Sequence, residues 1–323
     1  MRLQFIVTIL FSFSLNLCSA HNLRPQANCS SCLPNPIATT YPHNITGTIN
    51  ATTAVLLVPL CYAQSLLPSR FANSILTHAY TRFNIPPTTY PLVVESIIDH
   101  DIRYGNIPVA ADFSSFRLTF PFIDLLGDGY STFRYTGYIY LPPSNTVAIN
   151  GSQAYGYTVL PAYFAPPDAP YEFTSRNQRD RLFQVFEPPP TTANHDHQNK
   201  GGRPRSKLLG ATKFRPAKTT TTATAHSTIP LAFYKNITNQ IMFGNNTAVC
   251  DRMMSFWNTS ITTGPYAPQH VVGEVALGPP LVPREKVWRD VPGLKADRAF
   301  LEVNYLDCKG LKGWGGTGSG DSG

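Results

Sequence analysis

Short runs of apolar, β-branched and aromatic residues recur along this chain, separated by clusters of Gly, Pro, Asn and Ser. That pattern predicts strands at 54–60, 91–98, 115–122, 131–141, 146–149, 154–160, 229–234, 240–243, 271–277 and 298–306. Gly127-Asp128-Gly129 and Pro142-Pro143-Ser144-Asn145 read as the turns between them. Helical spacing shows only at 61–80, where Leu66, Phe71, Ile75 and Leu76 share a side and Pro68 splits the segment. Pro283 suits the first turn of a short helix that carries Glu285 to Trp288. The expected class is mainly β, with α+β character only at the margins.

The ends and one internal stretch break this pattern. Residues 1–20 read as a secretory signal peptide: Arg2, an apolar run at 5–17, then the small-residue site Cys18-Ser19-Ala20. A retained anchor is the alternative, and no later stretch reaches the ~18 apolar residues of a membrane span. Residues 21–53, rich in Pro, Asn and Thr, read as an extended arm. A single domain is expected over 54–314, interrupted by a basic low-complexity insertion at 188–228 and followed by a flexible tail at 315–323. The insertion holds His195-Asp196-His197, Arg203-Pro204-Arg205 and a Thr219–Thr222 run, and a short strand at 181–187 precedes it.

Composition sharpens this picture. Charged residues are 14% of the 323, against about 25% in an average soluble domain, while Gly and Pro number 22 and 29. The net charge of +7 is concentrated: residues 175–228 carry ten Lys or Arg and three Asp or Glu. The rest of the chain is close to neutral, so the body offers no electrostatic case for nucleic acid. Seven Asn-X-Ser/Thr triplets, at Asn28, Asn44, Asn50, Asn150, Asn236, Asn245 and Asn258, point to a secreted, extracellular glycoprotein and predict seven surface asparagines. In an oxidising compartment Cys29, Cys32, Cys61, Cys250 and Cys308 are disulfide candidates, and their odd number leaves one unpaired or paired between chains. Cys29-Ser30-Ser31-Cys32 precedes an extended Leu33-Pro34-Asn35-Pro36 segment, which favours a tether over a redox motif.

Two stretches carry a family resemblance: Phe120 to Tyr135, around Asp124-Leu125-Leu126-Gly127-Asp128-Gly129, and Asn150-Gly151-Ser152-Gln153-Ala154-Tyr155-Gly156-Tyr157. With the strands Pro91 to Val94 and Ala299 to Glu302, they resemble the secreted fungal branch of the acetoacetate decarboxylase-like superfamily. The resemblance spans roughly 54–174 and 229–314 and implies a cone-shaped antiparallel β-barrel around an apolar cavity, with a few short helices. The family's enzymes carry Gly-Arg-Glu followed by Gly-Phe-Pro-Lys-Lys. Laid on Gly151 and Gly156, that motif finds Ser152 and Gln153 for Arg and Glu, and Val159 and Leu160 for the lysine pair. The nucleophilic lysine of such enzymes forms a Schiff base, which neither Val nor Leu can do. No lysine occurs before Lys200. The family's glutamate falls on Tyr140 if Tyr138 takes its tyrosine.

The candidate ligand-binding residues are therefore Arg103, Arg117 and Arg134, which can hold a carboxylate, and Tyr140, Tyr155 and Tyr157, which can supply hydroxyls or aromatic walls. Each has a plain structural reading as an outward-facing or packed residue. Asp99-His100-Asp101 looks metal-like, but neighbouring strand residues point to opposite faces. Asp124 and Asp128 read as turn residues rather than an acid–base pair. No nucleophile elbow, phosphate loop or HExxH is present, and neither cofactor nor metal is expected. The leading reading is a secreted barrel that binds, and in one version transforms, a small apolar or oxo-acid metabolite without a Schiff base. The alternatives are a non-catalytic extracellular or wall-associated scaffold and a lysine-independent lyase. An open cavity of about 300 Å³ with convergent polar groups favours the ligand reading; a barrel filled by its own side chains favours the scaffold.

Overall fold

The computed structural model describes residues 33–166, 172–173, 181–188, 207–217 and 229–313. The signal segment, Asn28, Cys29, Cys32, His195-Asp196-His197, the Thr219–Thr222 run and the 315–323 tail lie outside the described residues. In chain order the elements are β1 (Ile45–Pro59), α1 (Leu60–Leu66), α2 (Ser69–Ala72), α3 (Thr77–Thr81), β2 (Thr89–Tyr104), β3 (Ile107–Pro108), β4 (Phe113–Ile123) and β5 (Phe133–Leu141). Then come α4 (Thr146–Ala154), β6 (Thr158–Pro161), β7 (Tyr163–Ala165), β8 (Glu172–Phe173), β9 (Arg181–Phe186) and β10 (Leu208–Pro216). The chain continues with α5 (Leu231–Thr238), β11 (Ile241–Phe243), β12 (Val249–Phe256), β13 (Gln269–Leu277) and β14 (Lys286–Asp307).

Seven of these strands, in the order β1-β2-β4-β5-β11-β12-β14, form a barrel that closes where β14 pairs with β1. Closure leaves no free edge in the ring. All its seams are antiparallel except β5–β11, which is parallel. The 22-residue β14 also leaves the ring at its N-terminal end, pairs with β13, and continues through β10, β9 and β7 as a second sheet. This sheet packs on the outer face of β2 and β4. Ser96 Oγ and Thr212 Oγ1 lie 2.9 Å apart across the junction, and the Phe116 and Phe183 rings stack at 6.5 Å. Gly210 is required there, because a Cβ would stand 2.8 Å from the Phe116 ring. The main apolar cluster fills this junction and runs on beneath α1–α3 and α5, where Phe71 meets Tyr135 and Phe243, and Phe83 meets Phe233.

Four expectations need correction. The strand predicted from residue 54 begins at Ile45, so the last nine residues of the expected arm are barrel wall. Thr46, Thr48, Asn50 and Thr52 are buried, because the strand is covered on both faces and Thr48 meets the His100 ring at 2.7 Å. The low-complexity insertion contains β10, bonded on both sides. Its alternation of buried Gly210, Thr212 and Phe214 with Lys213 and Arg215 was masked by the surrounding polar sequence. The strands predicted at 146–149 and 229–234 are helices α4 and α5. Asn145 caps α4 by accepting from the Ala148 amide at 3.0 Å, and Pro230 precedes α5. The helix predicted after Pro283 is instead the start of β14, where cross-strand pairing with β13 overrides local propensity. Pro68 separates α1 from α2 as the sequence predicts.

Cys250 and Cys308 form a disulfide that closes a separation of 58 residues. Cys61, a disulfide candidate, is instead exposed and unpaired. Asn50 and Asn236 are only 5% and 4% exposed, which corrects the expectation of seven surface asparagines. Asn50 lies in the barrel wall and Asn236 on the inner side of α5, donating no surface to a glycan. Asn150, Asn245 and Asn258 are exposed and Asn44 is half-buried.

Candidate functional site

Glu95 organises the barrel interior. It sits in the apolar run Val93-Val94-Glu95-Ser96-Ile97 of β2, fully buried, directly across from Arg117 on β4. Its Oε2 accepts from Arg117 Nε at 2.7 Å and from Arg134 Nη1 at 3.1 Å. Arg298 Nη2 stands 3.9 Å from Oε1. Burial alone would raise the Glu95 pKa, but the three guanidinium groups override it and hold the carboxyl at about 2. Arg298 also donates from Nε to Ser255 Oγ at 3.1 Å and lies over the Trp257 ring.

This cluster borders a cavity of about 300 Å³. All seven barrel strands line it: Ile45 from β1, Asp99 from β2, Ser115 and Arg117 from β4, Ile139 and Leu141 from β5, Met242 from β11, Asp251 and Met253 from β12, and Phe300 and Glu302 from β14. The strand period of two explains the set, since these residues are separated by even steps along each strand. Tyr155 and Tyr157 enter from the turn after α4. Gly156 between them has φ +78°, and a Cβ there would collide with the Asn246 amide, so only glycine lets this turn dock on the 244–246 loop. That docking uses the Asn245 amide to the Gly156 carbonyl at 3.1 Å and the Asn246 amide to the Tyr155 carbonyl at 3.3 Å.

Three features give the cavity chemical character. Arg117 is anchored on Glu95 through Nε and lines the cavity. The hydroxyl of Tyr157 is buried and has no hydrogen-bond partner in the protein, and Asp251 Oδ1 is likewise unpaired. Asp251 and Glu302 hydrogen-bond to each other, and burial raises both pKa values, Glu302 well above its ordinary value. Two carboxyls this close share a proton because they cannot both ionise cheaply. Such a pair can accept a proton from a carbon acid through one member and donate one to an oxygen through the other. Burial and the neighbouring Glu302 push Asp99 up to about 7, against the opposing pull of Arg117.

The six residues singled out from sequence separate into three groups. Arg117, Tyr155 and Tyr157 line the cavity together. Arg134 lies behind it, held on Glu95. Arg103 and Tyr140 do not reach it, which corrects their assignment. Arg103 is partly exposed and paired with Asp101 on the outer side of β2, and Tyr140 points away from the barrel interior beside Phe116. Asp99-His100-Asp101 diverges as strand alternation dictates: Asp99 enters the cavity, His100 meets Thr48 on the opposite face, and Asp101 accepts from the Asn35 amide at 2.7 Å. Asp124 and Asp128 cap their turn, accepting from the Asp128, Gly129, Tyr130 and Ser131 amides. Among the described residues no lysine lines the cavity. Lys295 is 8% exposed and is buried outside the cavity near Asp297. Among the described residues no group of three His, Cys, Asp or Glu is arranged to hold a metal, and no helix is long and apolar enough to cross a membrane.

The raised carboxyls fix a pH dependence of stability. Asp99 titrates at about 7 and Asp297 at about 6 in the fold, both through burial, against ~3.9 when unfolded. The folded state therefore binds more protons between pH ~4 and 7 than the unfolded chain does. Their contribution is full below ~4 and is lost as pH rises through 7. The melting temperature should fall by roughly 5–10 °C from pH 5 to pH 8. A flat thermal-unfolding profile over that interval would contradict the assignment.

No family model and no curated protein matches the sequence. Solved structures do align with the fold. One is an acetoacetate decarboxylase-like enzyme from Sphingomonas wittichii RW1, 8% identical, with 82% of this chain and 92% of that chain covered at a TM-score of 0.39. Another is the enduracididine biosynthesis enzyme MppR with HEPES buffer bound, 7% identical, covering 81% of this chain and 86% of that chain at a TM-score of 0.38. MppR complexed with pyruvate aligns at 6% identity, 88% and 94% coverage and a TM-score of 0.37. By its own strand order and pairing the chain is a mainly β protein built on a closed seven-stranded barrel with few short helices.

Proposed function

We propose that this chain is a secreted glycoprotein of the acetoacetate decarboxylase-like superfamily whose barrel binds a small oxo acid without Schiff-base chemistry. The carrying observation is the cavity of about 300 Å³ into which Arg117, Tyr155, Tyr157 and the Asp251–Glu302 pair converge. Arg117 takes the substrate carboxylate. Tyr157 and the acid pair face the carbonyl end. The pair then supports enolisation: the ionised member takes the proton from the carbon beside the carbonyl, and the protonated member gives its proton to the carbonyl oxygen. The C–H bond breaks, an O–H bond forms, and the pair keeps one proton throughout. The disulfide and the exposed sequons at Asn150, Asn245 and Asn258 support the secretory reading.

Calorimetry with 2-oxobutanoate tests this. Binding should tighten as pH falls below 7, because protonation of Asp99 removes a negative charge facing the ligand carboxylate. Arg117→Met should weaken it by about 10–100-fold, the worth of a hydrogen bond to a charged group. Tyr157→Phe, which removes only the hydroxyl, provides a milder second variant. Absence of binding to the wild-type protein would sink the oxo-acid reading. A covalent adduct trapped by borohydride would sink its lysine-free chemistry.

A further inference from the structure

We propose that the ligand of this site is an elongated oxo acid, whose apolar tail leaves the barrel and lies in an outer groove beside α4. The inference rests on the oxo-acid reading and names the class of substrate within it. A second depression of about 570 Å³ runs along the barrel rim, between the β3–β4 connection and the Pro142–Val147 turn. It shares Val109, Ala110, Phe113 and Val147 with the inner cavity, so the two spaces adjoin at these four apolar residues, the portal of the proposed path. Beyond the portal the groove is walled by Pro142, Pro143, Ala162 and Phe164, with Tyr163 half-exposed at its edge and Asp112, Ser114, Ser144, Asn145 and Thr146 completing its lining.

The clustered charges of the inner cavity give the ligand a direction. Charged and hydroxyl groups sit at the inner end, where Arg117, Asp99, Asp251 and Glu302 converge. The portal itself carries only apolar side chains. α4 has no buried residue of its own, although Val147, Ala148, Gly151 and Ser152 face the cavity. A helix whose inner side is only half-buried, through Ala148 and Ile149, and which exposes Val147 by 51%, gains apolar contact when a chain passes beneath it. The inner cavity alone is at the lower limit of small-molecule sites, about 300 Å³. Cavity and groove together lie well inside the usual range, so a ligand using both matches the space the protein offers. The groove and the cavity share four lining residues, so a molecule whose head is in the barrel has the groove as the adjoining space for its distal part.

A chain-length series of straight 2-oxo acids, from four to twelve carbons, tests this by calorimetry. Affinity should rise about 3–4-fold per added methylene once the tail passes the portal. Ala111 and Ser144 line the groove but not the inner cavity, and both are exposed. Ala111→Trp fills the groove and should flatten the series beyond six carbons, with 2-oxobutanoate bound as in the wild type. Ser144→Trp should do the same from the opposite wall. Equal affinity for short and long acids in the wild-type protein would overturn the tail assignment and leave the head site standing. A series that stays steep in both variants would also overturn it. Failure of every acid, including the shortest, would instead count against the oxo-acid reading beneath it.

Discussion

Glu95→Gln should lower the unfolding free energy by about 3–5 kcal/mol, the cost of breaking a buried ion cluster by removing one partner. The size follows from the geometry. One carboxylate compensates Arg117 and Arg134 directly and Arg298 at longer range, and all three guanidinium groups are buried. Gln keeps the shape and can still accept a hydrogen bond, but it leaves three buried cations facing one another. Removal of a single arginine should cost less, because Glu95 retains two others. Denaturant titration of Glu95→Gln beside Arg134→Met would order them. A Glu95→Gln protein within about 1 kcal/mol of wild type, below the usual cost of a broken buried pair, would show that the cluster is solvated.

Loss of the Cys250–Cys308 bridge should cost about 2–5 kcal/mol, which lowers the melting temperature by roughly 5–15 °C. The bridge spans 58 residues, so its removal frees a long loop in the unfolded chain. Its place matters as much as its loop. Cys250 precedes Asp251 on β12, and Cys308 follows the end of β14, the strand that carries Glu302. The covalent link therefore holds together the two strands whose carboxyls form the proton-sharing pair. Double substitution to Ser, followed by thermal unfolding and by binding of 2-oxobutanoate, should reveal both roles. An unchanged melting temperature would mean that strand pairing alone holds this corner.

Which parts of this structure were legible in the sequence depended on whether the local pattern and the tertiary setting agreed. The strands around Val93, Leu118, Tyr135 and Val275 carry dense β-branched and aromatic residues and lie where the pattern puts them. The arm, α4 and α5 went the other way. Thr46 to Thr52 looks like a polar arm because burial on both faces comes from partners far away in the chain. Leu231-Ala232-Phe233-Tyr234 has the composition of a strand but packs its rings as a helix. The site divides in the same manner. Arg117, Tyr155 and Tyr157 were visible as polar or aromatic residues near predicted strands. Glu95, Asp251, Glu302 and Arg298 were missed as site residues. A signal existed for Glu95, a lone acid inside an apolar strand of a charge-poor chain. Asp251 and Glu302 become a pair only when β12 and β14 lie side by side, which places Met253 opposite Glu302.

The register between β1 and β14 also sets an order of assembly. Ile45 pairs with Glu302 and Ala54 with Gly293, so the seam that closes the ring joins the first barrel strand to the last. During synthesis, β1 and β2 emerge early and can pair, but β1 keeps one edge open until β14 has left the ribosome. That edge contains the Thr-rich stretch from Thr46 to Thr53, whose alternation of small and β-branched residues is well suited to pairing with another chain. Contacts this distant in sequence slow folding, and an unpaired edge meanwhile invites association between nascent molecules. Production of this protein should therefore be limited by the lifetime of the open ring, and a chaperone that shields β1 would help more than one that assists the helices.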